Sequence, residues 1–558
     1  MSYNKSLFQG VPKKHANKSR FNLSHEYKAQ GLPGYLIPIM TLECLPLDNW
    51  EIDSEFMFRM APSNFPPMQK FTMRADYFYI PNRILWHEGS GANVGWKKWI
   101  AEQEEILPPT MNATLRYLEA SYTNSVLAHM GLPLNVIGAG VSVLVEGLNA
   151  FPLSAYLKIW DEYYRNPQLE GERWFNLQSG DNTAGFTGAF AGWVAVASPI
   201  LSCLPSKWEK DYFTSALPTP QIGEAILIPS IGVDPDTGDF IPSKLFLENG
   251  NVPADNTVNS IDGELQVSTQ GKVALETQAT IKQFRLAEVL QSFYERVMKV
   301  GTRYRDFIEG LWGDDPEPMA VDVPVLIGSK FGRVQVSDVM TQAFTNSSEG
   351  VSAQSTGNYS GQMNLYENNS GKLHYYCREH GFLMCILQVN ANTSYGQGIE
   401  RFWRRTLQTD YPLDMFSGIG DQEILREEVV YTPITALAAQ NQETFGYIPR
   451  FSEMRYKNNF HHSNLNFNFG LSQHGGRIWD GDYLGTDHED ILIDTNFVSV
   501  YQVDPQSTRS GDLRTSDIWR ILPNPPGTNQ EYEGIMYMHI FHSVYVERAL
   551  PLYSTPQL

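Results

Sequence analysis

The chain has 558 residues, 42% hydrophobic and 12% aromatic, with 44 glycines, 33 prolines and a formal net charge of −20. That apolar content excludes a disordered chain, the glycine and proline content argues against a helical bundle, and the acidic balance opposes nucleic-acid binding by the bulk surface. Four cysteines far apart (Cys44, Cys203, Cys377, Cys385) form no disulfide framework and fit a reducing compartment.

The charge is distributed unevenly. No acidic residue precedes Glu26, whereas Lys5, Lys13, Lys14, Lys18 and Arg20 are basic; the rest of the chain sets 37 basic against 62 acidic residues, a balance of −25. A basic, extended arm over residues 1–30 on an acidic body has the signature of an arm with its own partner; a solubilising tail is the alternative. The amino-terminal stretch has no continuous apolar core, which argues against a secretory signal.

Residues 34–50 read as a first strand kinked at Pro38 and Pro46. Residues 51–60 then alternate, with Ile52, Phe56, Phe58 and Met60 on one face and Glu51, Asp53, Glu55 and Arg59 on the other. Residues 71–79 do the same, setting Phe71, Met73, Ala75, Tyr77 and Tyr79 against Thr72, Arg74 and Asp76. A period of two fits half-buried antiparallel strands, and Pro62, Pro66 and Pro67 predict a turn between them. From Phe78 both faces are apolar, Pro81 ends the ladder, and Trp86 anchors the exit.

Between residues 89 and 166 the pattern becomes helical. Leu115, Leu118, Tyr122 and Val126 are spaced for one helix; a second starts at Pro152, runs through Tyr156, Ile159, Trp160 and Tyr163, and stops at Pro167. Residues 170–220 are loop, and 222–279 form a polar, acidic surface insertion. The uncharged stretch 182–206 contains Pro199 and several glycines, and reads as a buried irregular segment rather than a membrane span. The clearest helix is 280–301, with a capping box at Thr280 and Gln283, a buried stripe of Leu286, Val289, Leu290, Phe293, Val297 and Val300, and Gly301 at its left-handed end. A short helix through Tyr304, Phe307, Ile308 and Leu311 follows. Beyond 321 the best strands are 373–389 and 535–546, the second apolar on both faces and predicted central. Strong strands at both ends of the chain predict one interleaved β-sandwich domain with inserted helices (about 96–166 and 280–312).

Chemistry-bearing motifs are scarce. There is no phosphate-binding G-x-x-x-x-G-K-[ST] and no G-x-S-x-G elbow; Gly89, Gly91 and Gly95 miss the dinucleotide spacing by one, and His25-Glu26 and His488-Glu489 lack the second histidine of a zinc protease. His374, Cys377, His380 and Cys385 are zinc-type side chains, but an uninterrupted strand points them to opposite faces; two core cysteines and two polar-face histidines are the expectation. Asp410, Asp414, Asp421 and Glu423 would serve a carbohydrate-active β-sandwich enzyme only if two were opposed across a cleft; an acidic solvated surface is the alternative. Aromatic loops at 160–164 and 193–213 suit packing or subunit contacts, and also stacking on sugars or bases. No catalytic residue, cofactor or metal ligand is assigned.

Several runs form an ordered set: Phe21-Asn22-Leu23-Ser24-His25-Glu26, Met60-Ala61-Pro62, Tyr77-Phe78-Tyr79-Ile80-Pro81-Asn82-Arg83, and above all Trp208-Glu209-Lys210-Asp211-Tyr212-Phe213-Thr214-Ser215-Ala216-Leu217-Pro218 followed by Pro220-Gln221. Gly301-Thr302-Arg303-Tyr304, Phe445-Gly446-Tyr447, Arg455-Tyr456-Lys457 and Tyr553-Ser554-Thr555-Pro556 continue it. Together they resemble the major capsid proteins of microviruses, small icosahedral phages with single-stranded DNA, and are most similar to the gokushovirus branch. The resemblance implies a mainly β fold: a single eight-stranded antiparallel jelly roll (β-sandwich) over 31–558 with large helical and loop insertions. It implies a structural protein of the virion, assembled in the bacterial host cytoplasm into a T=1 shell around a circular single-stranded DNA genome, without membrane.

The insertion 222–279 sits where similar proteins carry a variable loop that projects near the threefold axes, with a role in host attachment. Implied partners are other copies of the chain, single-stranded DNA on the inner face, an internal scaffolding protein, a DNA pilot protein and a small basic DNA-binding protein. Lys5, Lys13, Lys14, Lys18 and Arg20 are the expected DNA contacts. On the order of 60 copies with five charges each give ~300 cations against several thousand phosphates, so the arm tethers DNA without neutralising it. The acidic body opposes association, so assembly is expected to need salt or divalent cations. The rival readings are a carbohydrate-active enzyme and a glycan-binding surface protein.

Overall fold

The computed structural model describes residues 18–31, 33–60, 70–89, 93–102, 106–116, 125–132, 142–167, 170–190, 202–223, 232–233, 240–241, 246–247, 259–261, 264–266, 273–274, 281–301, 303–313, 316–340, 359–367, 371–431, 441–462, 536–550 and 552. They fall into two compact units, Met1–Pro218 with Pro316–Leu558, and Thr219–Asp315.

The chain opens with β1 (Ser19–Asn22), β2 (His25–Gly31), β3 (Ile37–Cys44), β4 (Asn49–Met60) and β5 (Phe71–Pro81). A helical and mixed excursion follows: α1 (Asn82–Leu85), α2 (Trp96–Glu102), β6 (Pro109–Arg116), α3 (Val126–His129), β7 (Ser142–Asn149), α4 (Phe151–Ile159) with a π-turn at Trp160–Tyr164, β8 (Gly180–Asp181) and α5 (Thr183–Ala189). The second unit holds β9 (Gly232–Val233), β10 (Phe240–Ile241), β11 (Phe246–Leu247), β12 (Asn259–Ile261), β13 (Glu264–Gln266), β14 (Val273–Ala274), α6 (Ile281–Val300) and α7 (Tyr304–Trp312). The first unit resumes with β15 (Val325–Met340), β16 (Tyr359–Glu367), β17 (Leu373–Tyr376), β18 (Gly381–Ala391), β19 (Asp421–Leu425), α8 (Arg426–Val429), β20 (Thr444–Pro449) and β21 (Met536–Arg548).

Antiparallel pairing runs β1-β21-β4-β16-β15-β5-β18-β3, with β2 also on β21 and β17 also on β4. The two alternating strands, β4 and β5, lie in one antiparallel path as predicted, but they are not neighbours in it. β16 pairs with β4, and β15 pairs with both β16 and β5. Residues 325–334 of β15 run along β5 and residues 335–340 along β16, so this one strand belongs to both halves of the path. The alternating apolar faces meet in one core, where Ile52, Phe56 and Phe58 of β4, Met73, Ala75 and Tyr77 of β5, and Ile540 and Val544 of β21 are all buried. The result is a mainly antiparallel β-sandwich with helical insertions, as expected from the spacing of strong strands over the whole chain. Pro38 lies on β3, at the edge of the path, where a missing donor costs no ladder bond.

Three expectations are corrected. Leu115 does not start a helix: residues 109–116 are β6, because Met111 and Ala113 alternate inward and pair with β7. Tertiary pairing overrides a short helical spacing there. The predicted strand 373–389 is two strands. Cys377 leaves the ladder, donating to Asp48 O at 2.8 Å and accepting from Leu47 N at 2.9 Å, and β18 restarts at Gly381. A Cβ on Gly381 would lie 2.3 Å from Ile80 O, so only glycine permits this approach to β5. β21 is central and carries apolar side chains on both faces, as predicted, with Tyr537 (48%) and Phe541 (40%) on an exposed face. Finally, Asp76 is not on a wet face. It is buried and accepts hydrogen bonds from Arg74 Nε (2.8 Å), Tyr164 OH (2.7 Å) and Ser329 Oγ.

Pro152 lies in the first turn of α4, as predicted. In the second unit α6 forms as predicted, and Gly301 takes φ +117° at its end. The Thr280 capping box and the insertion's remaining residues lie outside the described residues. The α6 stripe is not buried along its length: Leu286, Val289 and Phe293 are exposed, while Phe293 also meets Phe307 of α7 at 6.3 Å between ring centroids. Among the described residues no helix is long and apolar enough to cross a membrane.

A polar junction joins the two halves of the sandwich. Tyr77 OH on β5 donates to Ser54 Oγ on β4 (2.7 Å), and Ser54 Oγ lies 2.8 Å from His542 Nδ1 on β21. Burial pushes the His542 imidazole down to about 3, and the neighbouring His25 acts in the same direction. The folded state therefore holds His542 neutral, while the unfolded chain takes up a proton near pH 6.5. Its contribution is complete above pH 6.5 and is lost as pH falls toward 3, at up to about 1.4 kcal/mol per pH unit. Denaturant midpoints measured from pH 7 to 4 should fall more steeply for the natural chain than for His542→Asn; parallel slopes would refute this assignment.

Candidate assembly and contact surfaces

The basic arm is in part a sheet element. β1 pairs with the end of β21 and β2 with its beginning, and Ser24 Oγ accepts from Val544 N at 3.0 Å between them. Lys18 Nζ donates to Leu47 O (2.8 Å), with Tyr376 beneath it at 5.4 Å. Arg20 pairs with Glu51 (2.9 Å) and lies 4.7 Å from the Tyr545 ring centroid. Both cations are thus held against the sandwich. Lys5, Lys13 and Lys14 lie outside the described residues.

The run 208–218 is a structural clasp. Asp211 is buried, and its Oδ1 accepts from Phe213 N (2.9 Å), Thr214 N (2.7 Å) and Thr214 Oγ1 (3.0 Å). Its Oδ2 accepts from Thr393 Oγ1 (3.0 Å) and the Tyr395 hydroxyl. This fixes Tyr212 and Phe213 in a second apolar core with Tyr395, Ile424 and Phe445. Leu217 and Tyr447 exchange backbone hydrogen bonds at 2.8 and 2.7 Å, so the run is stitched to β20. Two of the sequence signatures, 208–218 and 445–447, are therefore parts of one packed element.

Outside that core the chain exposes an apolar platform. Phe402 (50%), Trp403 (72%), Leu407 (63%), Met415 (77%), Ile419 (62%) and Met454 (56%) stand out, with Tyr411, Leu413 and Tyr456 also exposed. Short 3-10 turns at Arg401–Arg404, Gln408–Asp410 and Asp414–Ile419 carry or flank most of them. The turns rest on ion pairs: Arg401–Glu428 (3.0 Å), Arg404–Glu427 (2.9 Å) and Arg405–Glu453 (3.1 Å). A groove of about 320 Å3 lies beside the platform, lined by Tyr212, Phe402, Met454, Tyr456 and Phe460. Large apolar side chains exposed on turns fixed by ion pairs are candidates for a protein interface.

Asp410, one of the acids raised for sugar chemistry, has other work, and so does the buried Glu428 nearby. Asp410 accepts from Thr406 N (3.1 Å) and Leu407 N (2.8 Å), and the Leu407 bond foremost holds its carboxyl below the usual range. That stabilised anion is a turn cap, not a general acid. Burial raises Glu428, but it is occupied by Arg401 and by the Tyr212 hydroxyl at 3.1 Å. Cys377 and Cys385 are buried, whereas His374 is exposed, and no cluster of three or more metal-type side chains occurs among the described residues.

Comparison with known proteins places the chain among capsid proteins. The family described as capsid protein (F protein) matches residues 9–472. The chain is 26% identical over 531 residues to capsid protein VP1 of Chlamydia phage 1, covering 81% of this chain and 85% of that protein. It is 25% identical over 493 residues to capsid protein VP1 of Bdellovibrio phage phiMH2K, covering 82% and 84%. For capsid protein VP1 of Spiroplasma virus 4 the identity is 22% over 597 residues, covering 99% and 97%.

The clasp yields a prediction on stability. Asp211→Ala strands several buried donors, each worth about 1–3 kcal/mol when left unpaired, so a loss of about 3 kcal/mol or more is expected. Thermal or denaturant unfolding measures it, and a loss under about 1 kcal/mol would show that water replaces the carboxylate.

Proposed function

The chain belongs to the capsid protein (F protein) family, and on that premise we propose that the platform at 402–456 is the main surface through which copies of it join. The protein is a structural component of the virion, not an enzyme, and it self-assembles into a shell. The observation that carries the platform's role is its exposure: nine large apolar side chains between residues 402 and 456 face solvent in an isolated chain. Closed symmetric assembly would bury them and repeat each contact around the shell. Lys457, exposed at the margin, would set register.

The finer reading follows the family resemblance. The sandwich is a jelly roll, the shell has T=1 symmetry, and the cargo is circular single-stranded DNA. Lys5, Lys13 and Lys14 reach that DNA, while Lys18 and Arg20 anchor the arm to the body. An internal scaffolding protein, a DNA pilot protein and a small basic DNA-binding protein complete the particle. The insertion 222–279 contacts the host; deleting residues 225–275 would leave particles that form but fail to adsorb, and normal adsorption would remove that role.

Two outcomes are expected in sedimentation and negative-stain microscopy. Trp403→Glu with Met415→Glu leaves a folded 63.2 kDa chain that forms no particles, because both side chains are exposed in the monomer. Particles of normal mass from that variant would place the contact elsewhere. Particle yield should also rise with ionic strength as the acidic body is screened; the opposite trend would mean that interface ion pairs outweigh the net charge.

A further inference from the structure

The fold brings together two of the four cysteines, which stand far apart in the sequence. Cys44 closes β3, the strand at one end of the path, and Cys377 stands between β17 and β18. Backbone hydrogen bonds set the second segment against the corner that follows β3: Cys377 N donates to Asp48 O at 2.8 Å, and Leu47 N donates to Cys377 O at 2.9 Å. β18 then restarts with Gly381 registered on Cys44. Both cysteines are buried free thiols, and the two are hydrogen-bonded to each other.

Each side of the pair is held. Asp48 accepts from Leu45 N (2.9 Å) and from Arg548 Nη2 (2.9 Å), and Arg548 Nη2 also donates to Glu43 O (2.7 Å). Across from this corner, Tyr79 OH donates to Glu379 O (2.8 Å), Arg83 Nε donates to the Glu379 carboxylate (3.0 Å), and His380 O accepts from Asn82 N (3.0 Å). Sulfurs fixed in contact lower the conformational cost of closing a bond of about 2 Å. The other two cysteines have different neighbours: Cys385 is bonded to Tyr77, and Cys203 lies by Tyr156.

We propose that Cys44 and Cys377 form a disulfide once the protein leaves the reducing cell, a covalent staple between the end of β3 and the β17–β18 crossing that matures after assembly. It rests on the virion reading, because a virion component must last outside the cell. The oxidant is a small-molecule disulfide. The thiolate of one cysteine attacks it, giving a mixed disulfide and releasing one thiol; the thiolate of the other cysteine then displaces the second half. Two electrons pass to the oxidant, which leaves as two thiols carrying the two protons that the cysteines give up. Burial foremost raises the Cys44 thiol well above its usual range, and the neighbouring Cys377 adds to this. The exchange is therefore slow and proceeds through local opening at the end of β3. The bond closes a long loop, so it constrains the unfolded chain strongly.

The test incubates purified particles, identified by sedimentation, with oxidised glutathione at about pH 8, where thiol exchange proceeds, beside particles kept in dithiothreitol. The chains are then unfolded, alkylated and weighed. Oxidised chains should lose two alkylatable thiols and yield a cross-linked peptide joining Cys44 to Cys377, while Cys203 and Cys385 remain alkylated. Their thermal unfolding midpoint should rise by roughly 3–5 °C and fall back in dithiothreitol. Cys44→Ala and Cys377→Ala should each abolish the rise; where either variant fails to fold, the mass and midpoint of the natural chain decide. Four alkylated thiols after prolonged exposure, glutathione adducts without the cross-link, or a cross-link that leaves the midpoint unchanged would overturn the proposal. A preparation without particles counts against the virion reading instead, and the same thiol count on the free chain still decides the staple.

Discussion

The sandwich depends on one insertion: β21, the last described strand, enters between the first strands of the chain. Twelve consecutive residues of β21, 536–547, are registered on β4, and its other edge carries β2 and then β1. The amino-terminal strands therefore have no partner until the carboxy-terminal strand arrives. Contacts of such sequence separation must bear loop closure before they are rewarded, so folding is expected to follow synthesis and to be slow. It also makes the arm's exit point a consequence of the fold, because β1 is laid down on the end of β21.

Polar groups inside the sandwich narrow the register further. His25, His542 and Ser54 lie abreast on β2, β21 and β4, and Tyr77 meets Ser54 from the other half. Lys330 on β15 is buried against Asp53. A one-residue slip of β4 would exchange its faces, presenting Glu51, Asp53 and Glu55 to the core and parting Lys330 from its counter-ion. The apolar faces supply the driving force for packing; these groups make alternative registers costly.

Much of this was readable in advance, and the failures have physical causes. β4, β5, α4 and α6 follow from period-two or helical spacing with proline or glycine at their ends. The absence of a β4–β5 hairpin was not readable, since alternation says which face is buried but not which strand is the neighbour. The split of 373–389 needed the close approach of Gly381 to Ile80, which only the fold reveals. Asp76 read as a surface residue because its three donors come from residues 74, 164 and 329. The apolar stripe of α6 was correct as a pattern but not as burial, because periodicity says which residues share a face and not whether the chain covers it. The 402–456 platform was the largest omission. Its signal was the run of Phe402, Trp403, Tyr411, Met415 and Phe416 in a segment without strand or helix periodicity, but aromatics in a loop do not by themselves distinguish core from interface.

An isolated copy is thus a finished sandwich with unfinished surfaces. The clasp around Asp211 and the ion pairs beneath the platform hold apolar side chains outward on rigid turns, so little ordering is left for association to offset. Hydroxyl-radical footprinting of intact particles against dissociated subunits tests this most directly, because Trp403, Met415 and Met454 are among the most oxidisable side chains. The account predicts that all three are strongly labelled in subunits and protected in particles. Equal labelling in both states would contradict it.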